Sequence, residues 1–239
     1  MGDFDRYRAL SFDCYGTLVD WETGIASALR PWADRVSLDI TDDRLVELFG
    51  SIETAVEQAR PADRYPEILS EVHRRIASSF GADVTEDEAH RFGASVGDWP
   101  AFPDSAPALA RLAERFRLIV LSNVDRESFA RTNERLGVAF DLVLTAEQIG
   151  SYKPDPANFR ALLDASADMA VDRRELLHVA ESLYHDHEPA AAAGIDSAWI
   201  HRRHDRAGHG ATHPPTSAIE PKWRFTSMEA FAAAALAPD

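Results

Sequence analysis

Four groups of residues in this chain have the types and settings to do chemistry: Asp13, Ser122 with Asn123, Lys153 with Pro154, and Glu181 with Asp186. Each stands at or just past the carboxyl end of an apolar run. A carboxylate such as Asp13 attacks carbon or phosphorus only when ionised, and a nearby lysine favours that form. Ser122 and Asn123 offer donors to a substrate anion. Pro154 keeps Lys153 extended, so its amine can reach across to the acid. Asp186 has the chemistry to activate the water that would cleave a covalent ester. Any one of these residues could be an ordinary turn or helix cap. Two acids, a hydroxyl–amide pair and a lysine at successive strand ends instead point to one site.

The elements that must position them follow from periodicity. Short apolar runs at 7–13, 117–122, 140–145, 176–180 and 197–201 read as strands. Helical patterns at 105–116, 128–136, 156–167 and 185–193 separate them. Strands alternating with helices predict a parallel sheet with right-handed crossovers, and in such sheets ligands bind at the carboxyl ends of the strands. Residues 18–96 contain no convincing strand. They carry amphipathic helices instead, with Leu45, Leu48, Phe49, Ile52, Val56 and Ala59 on one face and Ile68, Leu69, Val72, Ile76 and Phe80 on another. An insert of that length predicts a helical cap over 18–96 on a core formed by 1–17 and 97–239, with 98–103 as the return hinge. In this reading Glu53 is a solvent-facing acid with a lesser claim to hold a substrate ammonium. Residues 202–221, rich in Gly, Pro and His, read as a long surface loop before a last strand near 223–225.

Composition narrows the function. With 45% hydrophobic residues and a net charge of −15, the chain can bury a core but lacks the basic stripe that nucleic-acid or anionic-membrane binding needs. A cytoplasmic setting is expected, since the charged start is unlike a signal peptide and no apolar run is long enough to span a bilayer. The single cysteine, Cys14, precludes an internal disulfide or a cysteine zinc site and reads as a small buried filler. The seven histidines from His178 onward (His178, His185, His187, His201, His204, His209 and His213) lack the spacing of a metal-binding helix.

The ordered motifs Asp13-x-Tyr15-Gly16-Thr17-Leu18, Leu121-Ser122-Asn123, Tyr152-Lys153-Pro154-Asp155 and the acidic Glu181…Asp186 resemble the haloacid dehalogenase superfamily over nearly the whole chain. That resemblance implies a Rossmann-like α/β core with an inserted helical cap. It also implies attack by Asp13, anion contacts from Ser122 and Asn123, and charge balance by Lys153. Phosphatases of the superfamily carry a second Asp two residues after the first. Tyr15 stands there instead, and a phenol of pKa ~10 is a poor general base. The Tyr-Gly-Thr form is similar to type II 2-haloacid dehalogenases, which displace a group from C2 of a short carboxylic acid and hydrolyse the resulting enzyme ester.

On this resemblance the catalytic set is Asp13, Lys153, Asp186, Thr17 and Glu181, and the substrate-binding set is Cys14, Tyr15, Ser122, Asn123, Ser182 and Tyr184. The partner is a small carboxylic acid, with a homodimer left open. No cofactor is expected; a magnesium-dependent phosphatase variant would use Asp13, Glu181 and Asp186 as ligands. The alternative from another class is a non-catalytic binding protein on the same scaffold. Three departures stand out. The fourth motif is one residue longer than usual, Phe159 replaces an aromatic hydroxyl, and the halide-cradling Arg of the early cap has no counterpart nearer than Arg44. A narrower resemblance, to azetidine-2-carboxylate hydrolases, runs through 13–24, 180–187, 197–204 and 210–213. It implies a ring amine as leaving group, so no halide cradle is required.

Overall fold

A computed structural model describes residues 4–237. Its centre is a six-stranded sheet in the order β3-β2-β1-β4-β5-β6, with every pairing parallel. The strands are β1 (Ala9–Phe12), β2 (Arg117–Ser122), β3 (Leu142–Thr145), β4 (Leu176–Ala180), β5 (Asp196–Ile200) and β6 (Trp223–Phe225). They are apolar on both faces because both faces are covered. Alternate residues serve separate cores. Leu10, Phe12, Leu118, Val120, Leu177 and Val179 pack in one, and Ala9, Ile119, Leu121 and Leu176 in the other.

β1 is flanked by β2 on one side and β4 on the other, so the chain leaves the centre of the sheet in opposite directions. The carboxyl ends of β1 and β4 therefore frame the crevice in which such sheets bind ligands. The crossover helices are α5 (Ser105–Leu112), α6 (Arg126–Leu136), α7 (Ala146–Ile149), α8 (Pro156–Asp168), α9 (Glu188–Ala192) and the terminal α10 (Met228–Ala235). The helix expected over 105–116 stops at Leu112, where Ala113–Phe116 turn into β2.

Between β1 and β2 the chain forms α1 (Trp21–Arg35), α2 (Asp42–Ala59), α3 (Tyr65–Ser79) and α4 (Glu86–Ala94). Side chains of Asp20, Thr41 and Thr85 cap α1, α2 and α4, each satisfying a free N–H of the first turn. Exit and return lie side by side. Asp20 N–H donates to Pro100 O, and Phe102 N–H to Leu18 O. Gly16, at φ 91°, makes the turn that starts the exit.

Four expectations fail here. The buried stripe of α2 runs through Val46, Phe49, Gly50, Glu53, Val56 and Glu57, while Ala59 is exposed. Glu53, expected in solvent, is 4% exposed. Phe80 ends α3 and is 42% exposed. The loop 202–221 is also more than a surface excursion. Ala211 and Thr212 are buried, and Gly50 leaves the room they need, because a Cβ there would lie 2.3 Å from Ala211 O.

Candidate active site

Asp13 follows β1 directly, and its N–H continues the ladder to Val179 O at 3.1 Å. Its carboxylate is held on both oxygens: Thr17 Oγ1 donates to Oδ2 at 2.6 Å, and Lys153 Nζ to Oδ1 at 2.9 Å. Lys153 is 2% exposed. Its ammonium completes its contacts with Leu121 O at 3.0 Å and Asp186 Oδ1 at 2.7 Å. Asn123 clamps the lysine backbone, accepting from Lys153 N–H at 2.6 Å and donating to Lys153 O at 3.1 Å. The Lys153–Pro154 peptide is cis.

Asp186 lies in a π turn, Leu183–His187, after β4. Single-turn π insertions are common at functional sites. Ser182 caps it, accepting from His185 N–H. Thr17 ties the two loops together by accepting the Glu181 N–H at 2.9 Å.

One ammonium between two carboxylates sets the electrostatics. Burial opposes the charge on Lys153, but Asp13 and Asp186 outweigh it and hold the amine protonated. For Asp186, burial is likewise overcome, by Lys153 and then His178, and its carboxyl is held well below the usual range. For Asp13 burial prevails over Lys153, aided by repulsion from Asp186, and its pKa is raised. The two acids are thus driven apart, a recurrent mark of groups with different tasks.

Around this triad closes a cavity of about 30 Å³ lined by core and insert residues together. That is room for two or three waters at about 10–15 Å³ each. Of the expected site residues, Asp13, Tyr15, Ser122, Asn123, Lys153, Glu181, Ser182 and Asp186 line it. Among the described residues Ser122 Oγ and Asp186 Oδ2 are buried without a hydrogen-bond partner. Tyr15 donates to or accepts from Thr132 at 2.8 Å, and burial pushes its phenol far above 10.

Two expected binding residues fall outside the lining. Cys14 is fully buried in the core, and burial raises its thiol; its role is to turn the chain, its carbonyl accepting from Leu18 and Val19 N–H. Tyr184 is rotated outward by the π turn and lies against the ring of His213, 4.3 Å between centroids. Arg44 is also outside: it is 59% exposed and pairs with Glu47 at 3.0 Å.

The insert, the π turn and the late loop bring Trp21, Glu57, Tyr65, His185 and Thr212, which the sequence reading missed, and Glu53, which it took first as a solvated acid. Tyr65 Oη donates to Glu53 Oε1. Burial lifts Glu53 to about 7, with repulsion from Asp13 adding and the Tyr65 bond opposing. Burial and the Glu53 charge push Glu57 well above the carboxylate range, and Asn123 Nδ2 donates to it at 3.3 Å. Burial pushes His185 down to about 4. The spacing of Glu53 and Glu57, one turn apart beside Phe49 and Val56, was the available signal.

The residues do not fit a magnesium ion. Lys153 Nζ occupies the position between Asp13 and Asp186 that a cation would take. The third acid, Glu181, accepts from Thr212 Oγ1 at 2.8 Å, and burial lifts it to about 8. Among the described residues no group of three or more His, Cys, Asp or Glu is arranged to hold a metal.

Comparison with known proteins agrees with this architecture. An (S)-2-haloacid dehalogenase of Pseudomonas sp. (strain CBS-3) is 28% identical over 204 residues, spanning 83% of this chain and 86% of that protein. The crystal structure of the defluorinating L-2-haloacid dehalogenase Rha0230 superposes with a TM-score of 0.78 at 23% identity, covering 97% of this chain and 96% of its own. The Xanthobacter autotrophicus L-2-haloacid dehalogenase with chloropropionic acid covalently bound gives 0.78 at 18% identity, covering 95% and 97%. Among the described residues no helix is long and apolar enough to cross a membrane. Residues 7–194 match the family of haloacid dehalogenase-like hydrolases, and the protein belongs to that family.

Proposed function

We propose that this enzyme displaces a C2 substituent from a short carboxylic acid through an ester on Asp13, and that the preferred leaving group is an amine, as in azetidine-2-carboxylate. Substrate carboxylate is received by Ser122 Oγ and Asn123. Asp13 attacks C2, and the C2–N bond breaks with its electron pair going to nitrogen. Asp186 then takes a proton from water, whose oxygen adds to the Asp13 carbonyl and frees the 2-hydroxy acid. Thr17 and Lys153 stabilise the charge that returns to Asp13. Glu181, neutral at pH 7 by its environment, and Tyr15 and Ser182 shape the wall.

The observation that carries the leaving group is the acid pair of α2. Glu53 and Glu57 line the cavity, and the one Lys or Arg among its lining residues is Lys153, already committed to two carboxylates. A departing halide would face these acids without a cation. A ring nitrogen that enters as the free amine takes up a proton as the C2–N bond breaks, and Glu53, lifted to about 7 by burial, can supply it. The second reading, release of halide from a 2-haloacid, is supported by the similarity to 2-haloacid dehalogenases and by the motifs around Asp13, Ser122 and Lys153 that resemble that family.

The test is a panel of 2-chloropropionate, chloroacetate and azetidine-2-carboxylate, scored for halide and for primary amine. Turnover in ¹⁸O-water should put label into Asp13 over repeated cycles. Label confined to product, with none in the enzyme after many turnovers, rules out the ester.

A further inference from the structure

We propose that His178 is the positioning residue for Asp186, fixing which carboxylate oxygen takes the proton from water. This rests on the reading in which Asp186 activates water to hydrolyse an Asp13 ester.

His178 is fully buried in β4, where an apolar residue is the norm for a strand covered on both faces. Its Nε2 lies 2.9 Å from Asp186 Oδ1 and its Nδ1 lies 2.9 Å from Ser11 Oγ. Ser11 is the direct register partner of His178 across the β1–β4 ladder, so the serine and the ring stand on one face of the sheet. An ionised carboxylate accepts only, which puts the ring hydrogen on Nε2, and the Ser11 hydroxyl satisfies Nδ1. Phe159 of α8 packs edge-on at 5.3 Å and 79°, blocking rotation of the ring. Oδ1 of Asp186 therefore receives two donors, Lys153 and His178, while Oδ2 has no partner among the described residues. A carboxylate held this way on one oxygen keeps its other lone pairs in one direction. Without His178, Lys153 alone holds Oδ1, and the carboxylate can swing about that single bond.

The function of the device is specific to the second half-reaction. Asp13 alkylation needs Lys153 and Thr17, neither of which His178 touches, whereas ester hydrolysis needs a water held by Asp186. His178→Phe should therefore slow ester hydrolysis at least tenfold while changing the rate of ester formation less than threefold. His178→Gln, which carries an amide N–H near the position of Nε2, should recover much of the loss. Ser11→Ala, which leaves the ring and removes the partner of Nδ1, should slow the same step more mildly and covers the case in which His178→Phe fails to fold.

The experiment uses whichever of azetidine-2-carboxylate and 2-chloropropionate the wild type turns over, with rapid acid quench and peptide mass analysis. The expected result is an adduct on the peptide containing Asp13 that accumulates in His178→Phe and Ser11→Ala, and is low in wild type and His178→Gln. Wild-type turnover with no accumulation in folded His178→Phe, or equal slowing of both steps without recovery in His178→Gln, would overturn the positioning role. Asp186→Asn separates the underlying reading: if its quenched enzyme carries no adduct at all, the ester chemistry itself is wrong, and the role of His178 falls with it.

Discussion

Lys153 Nζ stands 2.7 Å from Asp186 Oδ1 with both side chains at 2% exposure or less, and the same ammonium also neutralises Asp13. Removing one partner of such a buried group leaves uncompensated charge, typically at a cost of about 3–5 kcal/mol. Lys153→Met should therefore lose that order of stability at pH 7 and all measurable turnover. The sign with pH is fixed. Without the lysine, Asp13, whose pKa burial already raises with it present, rises further above its unfolded value, so the folded form is favoured below about pH 4 and progressively penalised as pH rises. Urea melts should show a larger deficit at pH 8 than at pH 5; an equal deficit at both would mean that lost packing, not lost charge, dominates.

The position of Lys153 also bears on metals. An ammonium bonded to both carboxylates already does the electrostatic work of a bridging cation. Prolonged EDTA treatment should leave turnover of the true substrate within twofold. A tenfold loss restored by magnesium would instead show that the ion displaces the lysine and would favour the phosphatase reading.

Much of this was legible in the chain because its signals are local. The strands announce themselves as short apolar runs; Asp13 and Ser122 stand at strand ends, and Lys153 and Asp186 in the segments that follow β3 and β4, on the rim of the parallel sheet. What was illegible depends on partners far along the chain. Glu53 reads as a solvated acid until Tyr65 of the next helix packs on it and bonds it. Thr212 sits in a Gly- and Pro-rich stretch with no periodicity, so nothing local says that its hydroxyl meets Glu181. Tyr184 failed for a geometric reason: a π turn aims its neighbours His185 and Asp186 inward and turns it outward.

Glu181 yields a prediction on stability. Its pKa rises from 4.5 in the unfolded chain to about 8 in the fold, chiefly by burial. Between those values the folded state holds a proton that the unfolded state has released, so stability is full below pH 4.5 and declines as pH rises through 8. Glu181→Gln removes that slope. The variant should gain roughly 1–3 kcal/mol on the wild type at pH 9 relative to pH 5, a figure discounted because the side chain is only half-buried. Parallel stability curves for the two proteins from pH 5 to 9 would show that Glu181 is already ionised in the fold.

Variants at Glu53 and Arg44 distinguish the two leaving groups. Glu53, lifted to about 7 by burial, holds its proton below that pH and can give it to a departing amine; above it the carboxylate cannot. Ring opening of azetidine-2-carboxylate should therefore fall on the alkaline side of pH 7. Glu53→Gln keeps the shape and the Tyr65 contact but has no proton to give. It should slow ring opening by about 10- to 100-fold and abolish that alkaline limb, since positioned acids contribute about that much. Turnover of 2-chloropropionate, whose chloride needs no proton, should change less than threefold in the same variant. Arg44 faces solvent against Glu47, so Arg44→Ala should alter kcat/KM for either substrate by less than tenfold, under ~1.4 kcal/mol of transition-state binding. A hundredfold loss on 2-chloropropionate in Arg44→Ala at unchanged Tm would place that guanidinium at the halide when the insert closes, and the amine reading would give way to dehalogenation.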